Sequence, residues 1–203
     1  VFRGQDSVYV SQVEYLSTES PWQVFISNAA HRATLSVNVA DPGVPVFDTQ
    51  SGDSVFSLPL RSAEGIAFSS DGARLYAVGG YFSPTALVVV SASDGQILAQ
   101  GSLPDSTFAF SMVYDDATDR LYVGTFWQFA WVGQRAGRFG VSVFDGSTLA
   151  PLGVLPADGG CAAAYIDEGC YGGVLVLDRS AEQIHVVLPG PAQTIDAVFD
   201  LLH

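Results

Sequence analysis

Residues Arg61–Leu103, RSAEGIAFSSDGARLYAVGGYFSPTALVVVSASDGQILAQGSL, decide the fold. Strand-length apolar runs are expected at 65–68, 75–79, 86–91 and 96–103, each ended by residues that favour turns. Ser70-Asp71-Gly72 and Ser93-Asp94-Gly95 are two of these turns, and Ser83-Pro84 is the third. Glycine supplies the positive φ a tight turn needs, while Asp and Ser bond the backbone of the residues that follow them. The stretch therefore reads as a four-stranded antiparallel unit, its strands labelled A to D in order.

The rest of the chain repeats this unit. An apolar pentad ending in Asp recurs as VPVFD at 44–48, VSVFD at 141–145 and VLVLD at 174–178, with VVVSA at 88–92 as a variant. Leu-Pro follows at 58–59, 103–104, 155–156 and 188–189. A third signature, an apolar strand ending in a polar or acidic turn, appears as VFISN at 24–28, IAFSSD at 66–71, MVYDD at 112–116, AYIDE at 164–168 and AVFD at 197–200. FSSDGARLY at 68–76 and YDDATDRLY at 114–122 align without a gap. Constant order at unequal spacing marks one structural unit with loops of variable length.

These motifs resemble those of the YVTN-type and WD-repeat-like β-propeller families, although the Trp-Asp dipeptide itself is absent. The resemblance covers nearly the whole chain and implies an all-β propeller of about four to five four-stranded blades. It forms either a partial ring or one closed by strands from both termini. The expected divisions are a partial blade at 1–19, blades at about 20–60, 61–103, 104–155 and 156–190, and a terminal strand at 191–203. In the fourth unit CAAAYI at 161–166 reads as strand A and VLVLD as strand C, with no evident strand B. TIDAVFDLLH reads as the A strand of a further blade. At the other end, residues 1–9 mirror 46–56, the close of a C strand running into a D strand.

Composition narrows the function. The 203 residues carry a net charge of −13, and all eight basic residues are arginine. That charge repels a phosphate backbone, so nucleic acid is not an expected partner. The lack of lysine removes Schiff-base and P-loop mechanisms. No apolar run approaches the roughly 20 residues of a membrane-spanning helix. Val1 in place of an initiator Met, without a signal-peptide pattern, reads as a processed product or a fragment. Cys161 and Cys170 read either as a disulfide closing a small loop, in a secreted or periplasmic protein, or as two buried thiols.

In the propeller resemblance, binding belongs to the face that carries the B–C and D–A connections. The longest B–C connection holds Trp127, Phe129, Trp131, Arg135 and Arg138, and the neighbouring one holds Tyr81 and Phe82. Trp and Arg dominate interface energetics, so these seven residues are the candidate binding site. The competing reading is that the aromatic rings pack on their own blade. Trp22 reads more readily as half-buried packing.

Other clusters read structurally. Asp115, Asp116 and Asp119 lack the ligand spacing of a calcium loop and are expected as a solvated acidic turn. Asp48, Asp145 and Asp178 are expected to cap the turns after C strands. His31, His185 and His203 are dispersed and sit in no catalytic motif. No cofactor or metal is expected. The leading reading is a non-catalytic scaffold docking on a protein partner, possibly within a larger assembly. The alternative is a lactonase- or lyase-like enzyme with its site at the channel mouth.

Overall fold

A computed structural model describes residues 23–36, 43–79, 85–104, 107–127, 138–156, 174–188 and 195–201. These form fifteen strands and no helix. Sheet 1 contains β1 (Gln23–Ser27), β2 (Arg32–Ser36), β3 (Val44–Asp48) and β4 (Ser54–Leu58), side by side in that order. Sheet 2 contains β5 (Gly65–Phe68), β6 (Arg74–Gly79), β7 (Ala86–Ser91) and β8 (Ile97–Ser102). Sheet 3 contains β9 (Thr107–Asp115), β10 (Arg120–Trp127), β11 (Arg138–Asp145) and β12 (Pro151–Pro156). Sheet 4 contains β13 (Val174–Asp178), β14 (Gln183–Leu188) and β15 (Ile195–Asp200). Every pairing is antiparallel.

The first strand of each sheet meets the first strand of the next: β1 against β5, β5 against β9, β9 against β13. The sheets thus stack as propeller blades around an axis, and among the described residues they do not close into a full ring. Both Ser-Asp-Gly turns of the deciding stretch form as read, with φ of 72° at Gly72 and 74° at Gly95.

Because strand residues alternate faces, each sheet buries one row against its predecessor and another against its successor. The row facing the next sheet is Phe25–Thr34–Val46–Phe56 in sheet 1. It is Ala67–Tyr76–Val89–Ala99 in sheet 2 and Val113–Tyr122–Val143–Gly153 in sheet 3. Three apolar clusters fill the three seams. The first joins Val44, Val46 and Leu58 to Leu75, Ala77, Val88 and Val90. The second joins Tyr76, Val78, Leu87 and Val89 to Met112, Leu121 and Val123. The third joins Tyr122, Val141 and Val143 to Leu175, Ile184 and Val186. Gly124 keeps this last seam close: a Cβ there would lie 2.4 Å from Leu175 Cδ1 and 2.5 Å from Phe110 Cζ, so those side-chain ends would have to move.

Sheet 4 corrects the sequence reading. VLVLD at 174–178 is an innermost A strand beside β9, not a C strand. QIHVVL is the B strand thought missing, and AVFD at 197–200 ends the C strand of this same sheet. One hydrogen bond proves the equivalence. In every sheet the N–H following the C strand donates to the carbonyl preceding the B strand: Thr49 to His31, Ala92 to Ala73, Gly146 to Asp119 and Leu201 to Glu182. The ambiguity has a physical origin, since an apolar pentad ending in Asp suits either strand. As an A-strand end, Asp178 caps the A–B turn by accepting from the Ser180 and Ala181 N–H groups. As C-strand ends, Asp48 and Asp145 cap C–D turns, accepting from Gln50 and Ser51 and from Ser147 and Thr148. Capping is thus what all three do, but Asp178 caps a different turn.

Candidate functional site

The B–C and D–A connections leave one end of the stack. On that end the β10–β11 ladder finishes with Trp127 opposite Arg138, and Trp127 also pairs with Thr107 at the start of β9. The β6–β7 ladder finishes with Gly79 opposite Ala86. The backbone therefore sets Trp127 and Arg138 side by side at the mouth of the long connection. Phe129, Trp131, Arg135, Tyr81 and Phe82 lie outside the described residues, as do Trp22, His203, Cys161 and Cys170.

The histidines are not brought together: His31 occupies the A–B turn of sheet 1 at φ 51°, whereas His185 lies on β14 of sheet 4. An open cleft of about 510 Å³ separates β1 from β5, lined by Val24, Ile26, Asn28, Ile66, Phe68 and Ser70 among others. Its lining mixes apolar residues with uncharged polar ones and supplies no acid or base.

The opposite end of the stack carries the A–B and C–D turns and a cluster that sequence reasoning missed. Arg74, first residue of β6, sends Nη2–H to the Tyr114 hydroxyl at 2.7 Å and Nη1–H to Asp119 Oδ1 at 3.2 Å and Ser147 Oγ at 3.2 Å. Tyr114 and Ser147 each donate a hydroxyl to Asp119, at 2.6 Å. The Tyr76 and Tyr114 rings stack with centroids 4.5 Å apart, and the Arg74 guanidinium lies over both. Charge-assisted bonds of this kind are the stronger ones, and guanidinium–ring contacts add to them.

Electrostatics follow the geometry. Burial pushes the Asp119 carboxyl up, but the hydrogen bonds from Ser147 and Tyr114 and the Arg74 charge outweigh it and hold Asp119 below its usual range. Burial, with the Asp119 hydrogen bond, raises Tyr114, and burial drives Tyr76 far up. The cluster stays a charged pair with neutral phenols. The Ser147 hydroxyl faces the Asp119 carboxylate and the Arg74 guanidinium rather than a histidine. The arrangement braces sheet 2 to sheet 3.

The acidic turn at 115–119 is likewise no loose solvated turn. Asp115 is buried, accepts from the Ala117 N–H and the Thr118 hydroxyl, and pairs with Arg179 of sheet 4. Asp116 accepts from the Ser70 N–H of sheet 2. The three carboxylates thus turn to different neighbours, and no group of three metal-ligating side chains gathers among the described residues. Nor is any helix there long and apolar enough to cross a membrane.

No family model and no curated protein matches the sequence. Solved structures do. Hydrazine synthase of Kuenenia stuttgartiensis matches with a TM-score of 0.62 at 15% identity, over 82% of this chain and 49% of that one. A gluconolactonase of Xanthomonas campestris matches at 0.57 and 16%, over 90% and 57%. The WD40 domain of Toxoplasma gondii coronin matches at 0.52 and 12%, over 91% and 46%. The fold is a β-propeller, and this chain spans about half the length of each of these. WD40 proteins and a gluconolactonase share that fold, so the fold is common to scaffolds and an enzyme.

Proposed function

We propose that this chain is a non-catalytic propeller module, built from YVTN-type repeats, that docks on a protein partner as a subunit of a larger assembly. The supporting observation is the final ladder pair of Trp127 and Arg138, which opens the connection carrying Phe129, Trp131 and Arg135. Large rigid rings and planar guanidinium groups release much bound water at small entropic cost, which is how a few residues come to carry an interface. Tyr81 and Phe82 extend the surface from the neighbouring B–C connection, so that contact spreads over two blades. An extracytoplasmic setting, with Cys161 bonded to Cys170, belongs to the same reading; alkylation of the unreduced protein tests it, two free thiols counting against it.

The docking test uses a partner recovered by cross-linking to the unaltered chain. Trp127→Ala or Trp131→Ala is expected to weaken that complex by about 2 kcal/mol or more while shifting the melting temperature little. A lowered melting temperature with unchanged affinity assigns the rings to packing and overturns the reading.

A further inference from the structure

β4, β8 and β12 are the D strands of sheets 1, 2 and 3, and each meets its C strand through the same irregularity. In sheet 1 Val46 faces Phe56 and Phe47 faces Ser54, so Val55 is skipped. Leu98 is skipped between Ile97 and Ala99 in sheet 2, and Leu152 between Pro151 and Gly153 in sheet 3. A bulge leaves its extra residue outside the ladder, where pairing demands no apolar side chain. All three are nonetheless apolar, and they are 43%, 50% and 45% exposed. Ile97 and Val154, close by on the same strands, are exposed as well. Leu58 and Leu155, further along, are buried, so these strands turn apolar residues inward where a neighbour receives them. Position in the stack does not explain the exposure. Sheet 2 has a sheet on either side, and its Leu98 is as open as Val55 and Leu152.

The charge around this stripe is of one sign. SVFSL, ILAQGS and PLGVLP hold no charged residue, although edge strands are ordinarily guarded by charge. The turns that lead into them carry Asp53 and Asp94 and no basic residue. Arg32 and Arg74 reach two of these turns, each already paired with a carboxylate, Asp48 and Asp119. Asp53 and Asp94 make no ion pair among the described residues. We propose that this outer stripe, Val55, Leu98 and Leu152 with Asp53 and Asp94 at its margin, docks a basic amphipathic helix of a partner protein. A strand is the poorer occupant, because the bulge breaks the regular edge that strand addition uses. A helix presents an apolar stripe flanked by Lys or Arg in one piece, which complements both the side chains and the charge. A second copy is disfavoured, because each chain carries a net charge of −13 and would set Asp53 and Asp94 against like charges. The stripe lies on the outer strands and does not rest on docking through the aromatic connection.

The test uses two synthetic helical peptides of about 18 residues with the same leucine stripe, one flanked by lysine and the other by glutamate. The lysine peptide is expected to bind the unaltered chain, more weakly as salt rises, and the glutamate peptide to leave it alone. Val55→Ser, Leu98→Ser and Leu152→Ser together leave the charge unchanged. They are expected to weaken binding at least about tenfold with an unaltered circular dichroism spectrum. Leu98→Gln alone, on the middle strand, serves if the triple variant fails to fold, and is expected to weaken binding about threefold. Asp53→Asn with Asp94→Asn is expected to weaken it about threefold and to flatten the salt dependence. None of these variants touches the aromatic connection, so failure here leaves that reading standing. Equal binding of both peptides, binding of the lysine peptide that ignores the apolar substitutions, or a dimer of the unaltered chain that the triple variant dissociates each overturns the proposal.

Discussion

Arg32 and Arg74 occupy the same position, the first residue of a B strand, and they brace their seams differently. Both reach the C–D turn of the following sheet. Arg32 donates to the carbonyls of Ala92 and Ser93, and Arg74 to the carbonyl of Gly146 and the hydroxyl of Ser147. The cross-strand partner makes the difference. Opposite Arg32 stands Asp48, whose carboxylate takes Arg32 Nη1–H at 2.8 Å, so that its ion pair lies within its own sheet. Opposite Arg74 stands Ser91, so Arg74 finds its carboxylate, Asp119, across the seam. One residue on a neighbouring strand thus decides whether an ion pair serves a turn or joins two blades.

The seam cores differ in the same direction, and the largest expected effect tests that. Tyr76 and Thr34 are equivalent row positions, both fully buried. Tyr76→Ala removes a stacked ring and is expected to cost about 3–5 kcal/mol, by analogy with large aromatic deletions in cores. Thr34→Ala removes one methyl and a hydroxyl bonded to the Pro45 carbonyl, for about 1–2 kcal/mol. Urea unfolding of both variants measures the gap, and equal losses would break the comparison.

Next in size are the arginines. Arg74→Met is expected to cost about 1–2 kcal/mol, because it strips hydrogen bonds from three side chains at the seam. Arg32→Met is expected to cost about 1 kcal/mol, its carboxylate partner being local to its own sheet. Thermal unfolding in low and high salt checks the order, and the reverse order would refute the account of the two seams.

The smallest effect sharpens the comparison most. Ser91→Asp gives Arg74 the partner that Arg32 already has. Net stability is expected to change by less than about 0.5 kcal/mol, while the Arg74–Asp119 coupling in a double-mutant cycle drops. An unchanged coupling would show that the cross-strand residue does not direct the arginine.

The brace was half legible beforehand. The gapless match of FSSDGARLY to YDDATDRLY aligned Arg74 with Arg120 and Phe68 with Tyr114, which told of a repeated position but not of its partners. Asp119 lies 45 residues from Arg74 in the chain and Ser147 lies 73, so spacing alone carries no trace of the contact. For the aromatic connection, the sequence named the residues, and the ladder supplied the juxtaposition of its two ends.

Strand content, turn positions and the repeat were settled by the sequence itself, because period-two apolar patterning and Gly, Asp and Ser turn chemistry are local properties. Tertiary structure decided which strand lies beside which. VLVLD and DAVFD are the same kind of string, and only contact with β9 makes the first an inner A strand and the second, two strands away, the C strand of the same sheet. A pentad's pattern fixes which of its residues face inward, but its rank in a blade is fixed by the neighbours that pair with it.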